Sequence, residues 1–191
     1  MNNNIKRVLF KAANSGLGYL CAKNIAKHDE NYLFIIACRN QGKSANAIEK
    51  LILADVGNSS IPVLDLDLGS LFSMRSSHER FSESSFPPLN AGGCNARQET
   101  IKKIIYTKDG FEKTFGVNHF GHFLLANLLL KNRLINGRIV INCGDTIDTP
   151  YFLPFFSSKY IDAILHSYPE IHLDCIDQKS YGMLRCTTSI L

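Results

Sequence analysis

Several things are missing from this chain of 191 residues. None of its six cysteines, at 21, 38, 94, 143, 175 and 186, forms a C-x-x-C pair. That argues against a disulfide framework and against a zinc site, and it favours a reducing, cytosolic compartment. No apolar run is long enough to span a bilayer; the strongest, FLLANLLL at 123–130, falls far short. The start MNNNIKR has no apolar stretch of the kind a secretory signal needs. There is no basic stripe interleaved with aromatics: the net charge is +4, with lysines and arginines spread among acids, so nucleic acid is not an expected partner. Internal repeats and low-complexity linkers are absent too, although SESSFPP at 82–88 reads as a loop.

What is present suits one soluble globular domain over 1–191. The hydrophobic fraction is 45%, enough to bury a core. Apolar strand candidates fall at 7–10, 32–38, 61–66, 89–95, 138–143 and 171–176, with helical candidates near 16–28, 42–54, 70–82, 109–131 and 155–167. The strands are apolar without strict alternation, as a sheet covered on both faces requires. Repeated strand–helix–strand units imply an α/β fold with one doubly wound, Rossmann-like parallel sheet. In such a sheet, ligands lie outside the carboxyl ends of the strands.

The first strand end reads KAANSGLGYL at 11–20, and Leu17, Leu20, Cys21 and Ile25 then follow at helical spacing. Gly16 and Gly18 at a helix start let backbone N–H groups face a pyrophosphate. Further pieces lie downstream: ACRN at 37–40, DLDLGS at 65–70, CNA at 94–96 and YTKDGFEKTFGVNHFGHFLLANLLL at 106–130. In this order they resemble the short-chain dehydrogenase/reductase family, in its protochlorophyllide-reductase and retinol-dehydrogenase-like branch, over about residues 6–182.

The resemblance implies a nucleotide site. Against the family's T-G-x-x-x-G-x-G, Lys11 and Ala12 replace the threonine and first glycine, and Ala13, Asn14, Ser15, Gly16, Leu17 and Gly18 keep the rest. Ala12 is tolerable at negative φ and strained at positive φ. The Lys11 ammonium either reaches the phosphates or snorkels outward, and the second is favoured here. Arg39 occupies the position that chooses between the two nicotinamide nucleotides and favours NADP(H) over NAD(H), unless it is merely a solvated arginine. Asp67 and Leu68 match the adenine position.

LNAGG at 89–93 offers a decoy for the family's Asn-Ala-Gly motif. Spacing from Asp67 assigns the motif to Asn95 and Ala96 instead, with Arg97 in place of the glycine. Gly92 and Gly93 then fall in a central strand, where they forfeit packing.

The family moves a hydride between nicotinamide and a small carbonyl or alcohol substrate. Asn118 and Lys159 match its asparagine and lysine, and Lys159 would also hold the nicotinamide ribose. The other two catalytic positions are degenerate. Phe155 stands where the tyrosine belongs and Gly144 where the serine belongs. Cys143, Tyr151 and Tyr160 are poor substitutes for the missing groups. The chain also stops before a family member would close its last strand and substrate lobe, so a C-terminally truncated form with impaired chemistry is expected. A non-catalytic NADP(H)-binding or interaction protein, or a decayed remnant, is the alternative, and a homo-oligomer is possible. His119 and His122, three apart on one helix, read as structural rather than as metal ligands.

Overall fold

A computed structural model describes residues 5–13, 16–28, 32–39, 42, 46, 62–84, 86–98, 104–131 and 134–142. In chain order the elements are β1 (Lys6–Lys11), α1 (Gly16–His28), β2 (Tyr32–Cys38), β3 (Val63–Asp65), α2 (Leu71–Glu83), β4 (Leu89–Cys94) and α3 (Lys113–Phe115). A π-helical turn (Gly116–Gly121), α4 (His122–Lys131) and β5 (Ile135–Ile141) complete them. The five strands form one parallel sheet in the order β3-β2-β1-β4-β5. The strand order reverses between β1 and β4, which is the switch point of a Rossmann-like sheet.

The expected α/β class is therefore observed, with shifted element bounds. The helix expected from 109 begins at Lys113, because Glu112 caps it: its Oε2 accepts from the Phe115 amide at 2.8 Å. The strand expected at 138–143 begins at Ile135, and its pairing with β4 shifts register between Leu89 and Ala91. β3 is shorter than 61–66, covering Val63–Asp65. Of the helix expected at 42–54 only Gly42 and Asn46 are described, both helical. The elements expected at 155–167 and 171–176 lie outside the described residues.

The chain divides into two compact units, the first made of Met1–Asp67, Phe72–Ala96 and Leu125–Ile141. This unit holds the whole sheet. Strands β1 and β2 are apolar on both faces, so each face recruits helices. On one face Val8, Phe10, Phe34, Ile36 and Cys38 form a buried cluster with Ala13 and with Ala22 of α1. Rings stack along it, Phe10 with Phe34 at 6.0 Å and Phe34 with Tyr32 at 6.2 Å between centroids. On the other face Leu9, Leu64 and Leu66 meet Met74 and Phe81 of α2 and Leu125 and Leu129 of α4. Leu64 is half-buried; each of the fully buried side chains contributes about 1.5–3 kcal/mol relative to exposure.

Gly93 does not leave the sheet underpacked. It pairs with Phe10, whose ring occupies the space a side chain at 93 would enter. The expected loss of packing in the central strand is thus made up by the neighbouring aromatic.

The second unit comprises Leu68–Leu71, Arg97–Leu124 and Asn142–Leu191. Its described part centres on an aromatic cluster. Phe115 stacks on His119 at 4.9 Å, Phe120 meets Phe115 edge-on at 5.0 Å, and Phe111 tilts against Phe120 at 5.0 Å. No helix among the described residues is long and apolar enough to cross a membrane.

Candidate nucleotide site

The turn after β1 is built by close approach. A Cβ on Gly18 would stand 2.3 Å from the Ala12 carbonyl oxygen and 2.9 Å from Asn95 Nδ2. Only glycine lets the first turn of α1 press onto the ends of β1 and β4 in this way. Gly16, at φ 57°, is left-handed and exposed, with nothing near its missing side chain. Ala13 is fully buried and Leu17 is 68% exposed, while Asn14 and Ser15 lie outside the described residues. Ala12 has φ 65°. It therefore adopts the strained alternative, a left-handed backbone that costs an L-residue roughly 1–2 kcal/mol.

Lys11 requires a correction. Its side chain neither snorkels outward nor projects beyond the strand end: the residue is 6% exposed, and Nζ donates to the Leu66 carbonyl at 2.5 Å. The register explains the path. Ala37 of β2 is the partner of Lys11 on β1 and of Leu64 on β3, and its small side chain leaves room for the lysine stem to cross toward β3. Burial lowers the Lys11 pKa to about 8. The Cys38 thiol, Asp67 and Asp65 counteract that fall, and Arg39 adds to it.

The segment after β3 is held at each residue. Ser77 Oγ donates to the Asp65 carbonyl, and Arg80 reaches the same oxygen at 3.3 Å. Lys11 holds the Leu66 carbonyl, and the Asp67 amide donates to Ser73 Oγ at 3.0 Å. Asp67 thus begins the loop with its backbone fixed. Arg39 follows β2 directly and is exposed. In the second unit, Leu68 is buried.

At the end of β4 the two asparagines separate cleanly. Asn95 is the first residue past the strand and Ala96 the next. Asn90 lies inside the strand, where its Oδ1 accepts from the Arg7 amide at 2.8 Å. Before Asn95, burial pushes the Cys94 thiol up to about 11. Arg97 is exposed.

Within the second unit, Asn118 is 5% exposed and grips one backbone residue from both sides. Its Oδ1 accepts from the Gln98 amide at 2.8 Å, and its Nδ2 donates to the Gln98 carbonyl at 3.0 Å. The Asn118 carbonyl meets His122 Nδ1 at 2.9 Å. His119 is held among rings, and its burial lowers its pKa. Neither histidine belongs to a metal-ligand cluster among the described residues. Lys159, Phe155, Gly144, Cys143, Tyr151 and Tyr160 lie outside the described residues.

The first unit thus brings Ala13, Gly16, Leu17, Gly18, Arg39, Asp67, Asn95 and Ala96 to the carboxyl ends of adjoining strands or to the helix start that follows. The sequence reading missed the lysine and serines that fix the Asp65–Asp67 backbone. One signal was available: Lys11 lies two residues after Leu9, on the same face of a strand buried on both sides.

These residues fit a dinucleotide. The tight Gly18 contact and the open space at Gly16 leave the start of α1 accessible to a pyrophosphate, and the exposed guanidinium of Arg39 suits a phosphate. No family model matches the chain. It is 40% identical over 124 residues to the WW domain-containing oxidoreductase of Danio rerio, an alignment covering 65% of this chain and 29% of that protein. It is also 40% identical over 125 residues to protochlorophyllide reductase A, chloroplastic, of Oryza sativa subsp. japonica, covering 64% and 31%. The matched stretch is thus about a third of the length of either relative. Solved structures share the fold at low identity. A short-chain dehydrogenase from Sphingobium yanoikuyae in complex with NADPH superposes with a TM-score of 0.60 at 17% identity, covering 96% of this chain and 61% of the other. An alcohol dehydrogenase from Thermococcus sibiricus complexed with 5-hydroxy-NADP gives 0.63 at 14%, covering 96% and 66%. Over 124 and 125 residues the chain is thus similar, at 40% identity, to these two oxidoreductases, and its 3-2-1-4-5 parallel sheet is the fold it shares with the solved short-chain and alcohol dehydrogenases.

Proposed function

We propose that the chain binds NADP(H) at the ends of β1 to β4, and that its capacity for hydride transfer to or from a small carbonyl or alcohol substrate is impaired. The observation that carries the binding half is the Gly18 contact. A helix start packed so closely that a Cβ on Gly18 would lie 2.3 Å from the Ala12 carbonyl oxygen is a backbone arrangement suited to a pyrophosphate. Amides of the 13–18 turn would hold that group, Arg39 the 2′-phosphate and Asp67 the adenine. When bound, the nucleotide supplies or accepts the hydride.

The impairment rests on chemistry at matched positions. A phenyl ring at Phe155 has no proton to give, and Gly144 has no hydroxyl to orient a carbonyl oxygen. General acid catalysis contributes a factor on the order of 100 to 10,000, so its loss leaves little turnover. Phe155 equally favours a second reading, a non-catalytic NADP(H)-binding or interaction protein. A cytosolic location belongs to both readings and is supported by cysteines that form no paired motif. Self-association is open to both.

The test is titration of folded, monodisperse protein with NADPH and NADH. Saturable binding that prefers NADPH is expected. Absence of binding to either nucleotide by a well-folded chain overturns the oxidoreductase and the nucleotide-binding readings and leaves an interaction protein or a remnant.

A further inference from the structure

Lys11 replaces a threonine at the phosphate turn, but its side chain belongs to a different corner of the first unit. Its ammonium ends at the Leu66 carbonyl, between the ends of β2 and β3, where Arg39 and Asp67 also lie. Four charged side chains interact there: Lys11 and Arg39 against Asp65 and Asp67. Arg80 of α2 brings a further cation to the Asp65 carbonyl. The neighbouring titratable groups are the Cys38 thiol on β2 and the Cys94 thiol, register partner of Lys11 on β4. From α2, His78 lines the same apolar space as Leu66.

We propose that Lys11 is a specificity-determining residue of the nucleotide site, whose buried ammonium lets the Arg39 corner accept a 2′-phosphate in preference to a hydroxyl. This rests on the reading that the chain binds NADP(H). Lys11 does not touch the phosphate; it acts by setting the local charge. Remove its proton, and the corner loses one positive charge beside Asp65 and Asp67 and becomes less favourable to a phosphate. Because the lysine is buried, its charge is weakly screened by salt and solvent. The structure also makes that loss accessible near neutral pH, since desolvation brings the Lys11 pKa down to about 8. A 2′-phosphate is already almost fully ionised there, with a second pKa near 6. The corner and its ligand therefore change relative charge only through the protein.

The experiment measures dissociation constants of the whole chain for NADPH and NADH across a pH range of about 6.5 to 9.5, spanning the lowered lysine pKa. The ratio of the two cancels effects common to both nucleotides. A preference for NADPH that falls roughly three- to tenfold as pH rises through about 8 is expected. Lys11→Met should give a ratio that is low and flat over the same range. Cys38→Ala removes the neighbouring thiol that counteracts the lowering of the Lys11 pKa, and should keep the fall with its midpoint at lower pH. A constant ratio in wild-type protein that binds both nucleotides overturns the inference while leaving the binding reading intact. So does a fall that disappears in Cys38→Ala and persists in Lys11→Met. Failure to bind either nucleotide at any pH overturns both. The wild-type profile decides the matter even if Lys11→Met does not fold.

Discussion

The Phe10 ring fills the place of the side chain that Gly93 lacks: a Cβ at 93 would come within 2.7 Å of Phe10 Cδ1. The adjacent Gly92 differs, because a Cβ there would meet Ile135 at 3.6 Å and Leu129 at 3.8 Å, ordinary contact distances. The two glycines should therefore answer substitution with opposite sign. Gly92→Ala is expected to stabilise by about 0.4–1 kcal/mol through lower unfolded-state entropy. Gly93→Ala forces the ring off its seat and is expected to cost about 1–3 kcal/mol. Phe10→Leu should recover part of that loss in the double variant. Denaturant unfolding of these variants beside the wild type checks this, and equal effects at 92 and 93 would refute the packing account.

Ala12 holds a left-handed backbone between the strand and the glycine turn. Ala12→Gly removes the steric cost of that conformation, roughly 1–2 kcal/mol, but loosens the unfolded chain by about 0.4–1 kcal/mol. The expected net is a stabilisation of about 1 kcal/mol, read as a small rise in melting temperature. A lower melting temperature would mean that Ala12 is not strained.

Asn118 satisfies both the amide and the carbonyl of Gln98. Asn118→Ala strips two partners from a part-buried peptide, at an expected cost of about 1–3 kcal/mol. Asn118→Asp keeps the acceptor for the Gln98 amide but loses the donor, and should fall between the wild type and the alanine variant. Thermal unfolding of the three chains gives the order directly.

Lys11 makes stability depend on pH in a calculable direction. Its folded pKa of about 8 lies below the ordinary lysine value of 10.5, so between these limits the unfolded chain binds more protons than the folded one. Its contribution is then fully present above about 10.5 and lost as pH falls through about 8. Cys94 acts oppositely, because a thiol raised from 9.0 to about 11 loses stability as pH rises across that window. The clean quantity is therefore wild type minus Lys11→Met, which should grow in favour of wild type by on the order of 3 kcal/mol across pH 8 to 10.5. A difference independent of pH would show that the lysine does not titrate in the folded chain below its usual range.

The impaired-chemistry reading makes its own demand. Phe155→Tyr combined with Gly144→Ser should raise NADPH-dependent carbonyl reduction by an order of magnitude or more if a proton donor and an orienting hydroxyl are all that is missing. No gain in a variant shown to bind NADPH would put the obstacle elsewhere.

The sequence by itself determined the fold class and most strand positions. Apolar runs without alternation, such as Tyr32–Cys38, can be satisfied only by a sheet covered on both faces, and that requirement is local enough to read. It also determined which asparagine follows β4, because spacing along the chain carries straight into strand register. What it could not decide were relations between strands. Lys11 is a plain cation in sequence; only the neighbouring β2, with small Ala37 in register, leads it under the loop after β3 rather than into solvent. Gly93 reads as a weakness until Phe10 is seen beside it. Both outcomes depend on which residue lies across the hydrogen-bonded ladder, and that is a property of the folded sheet rather than of either strand.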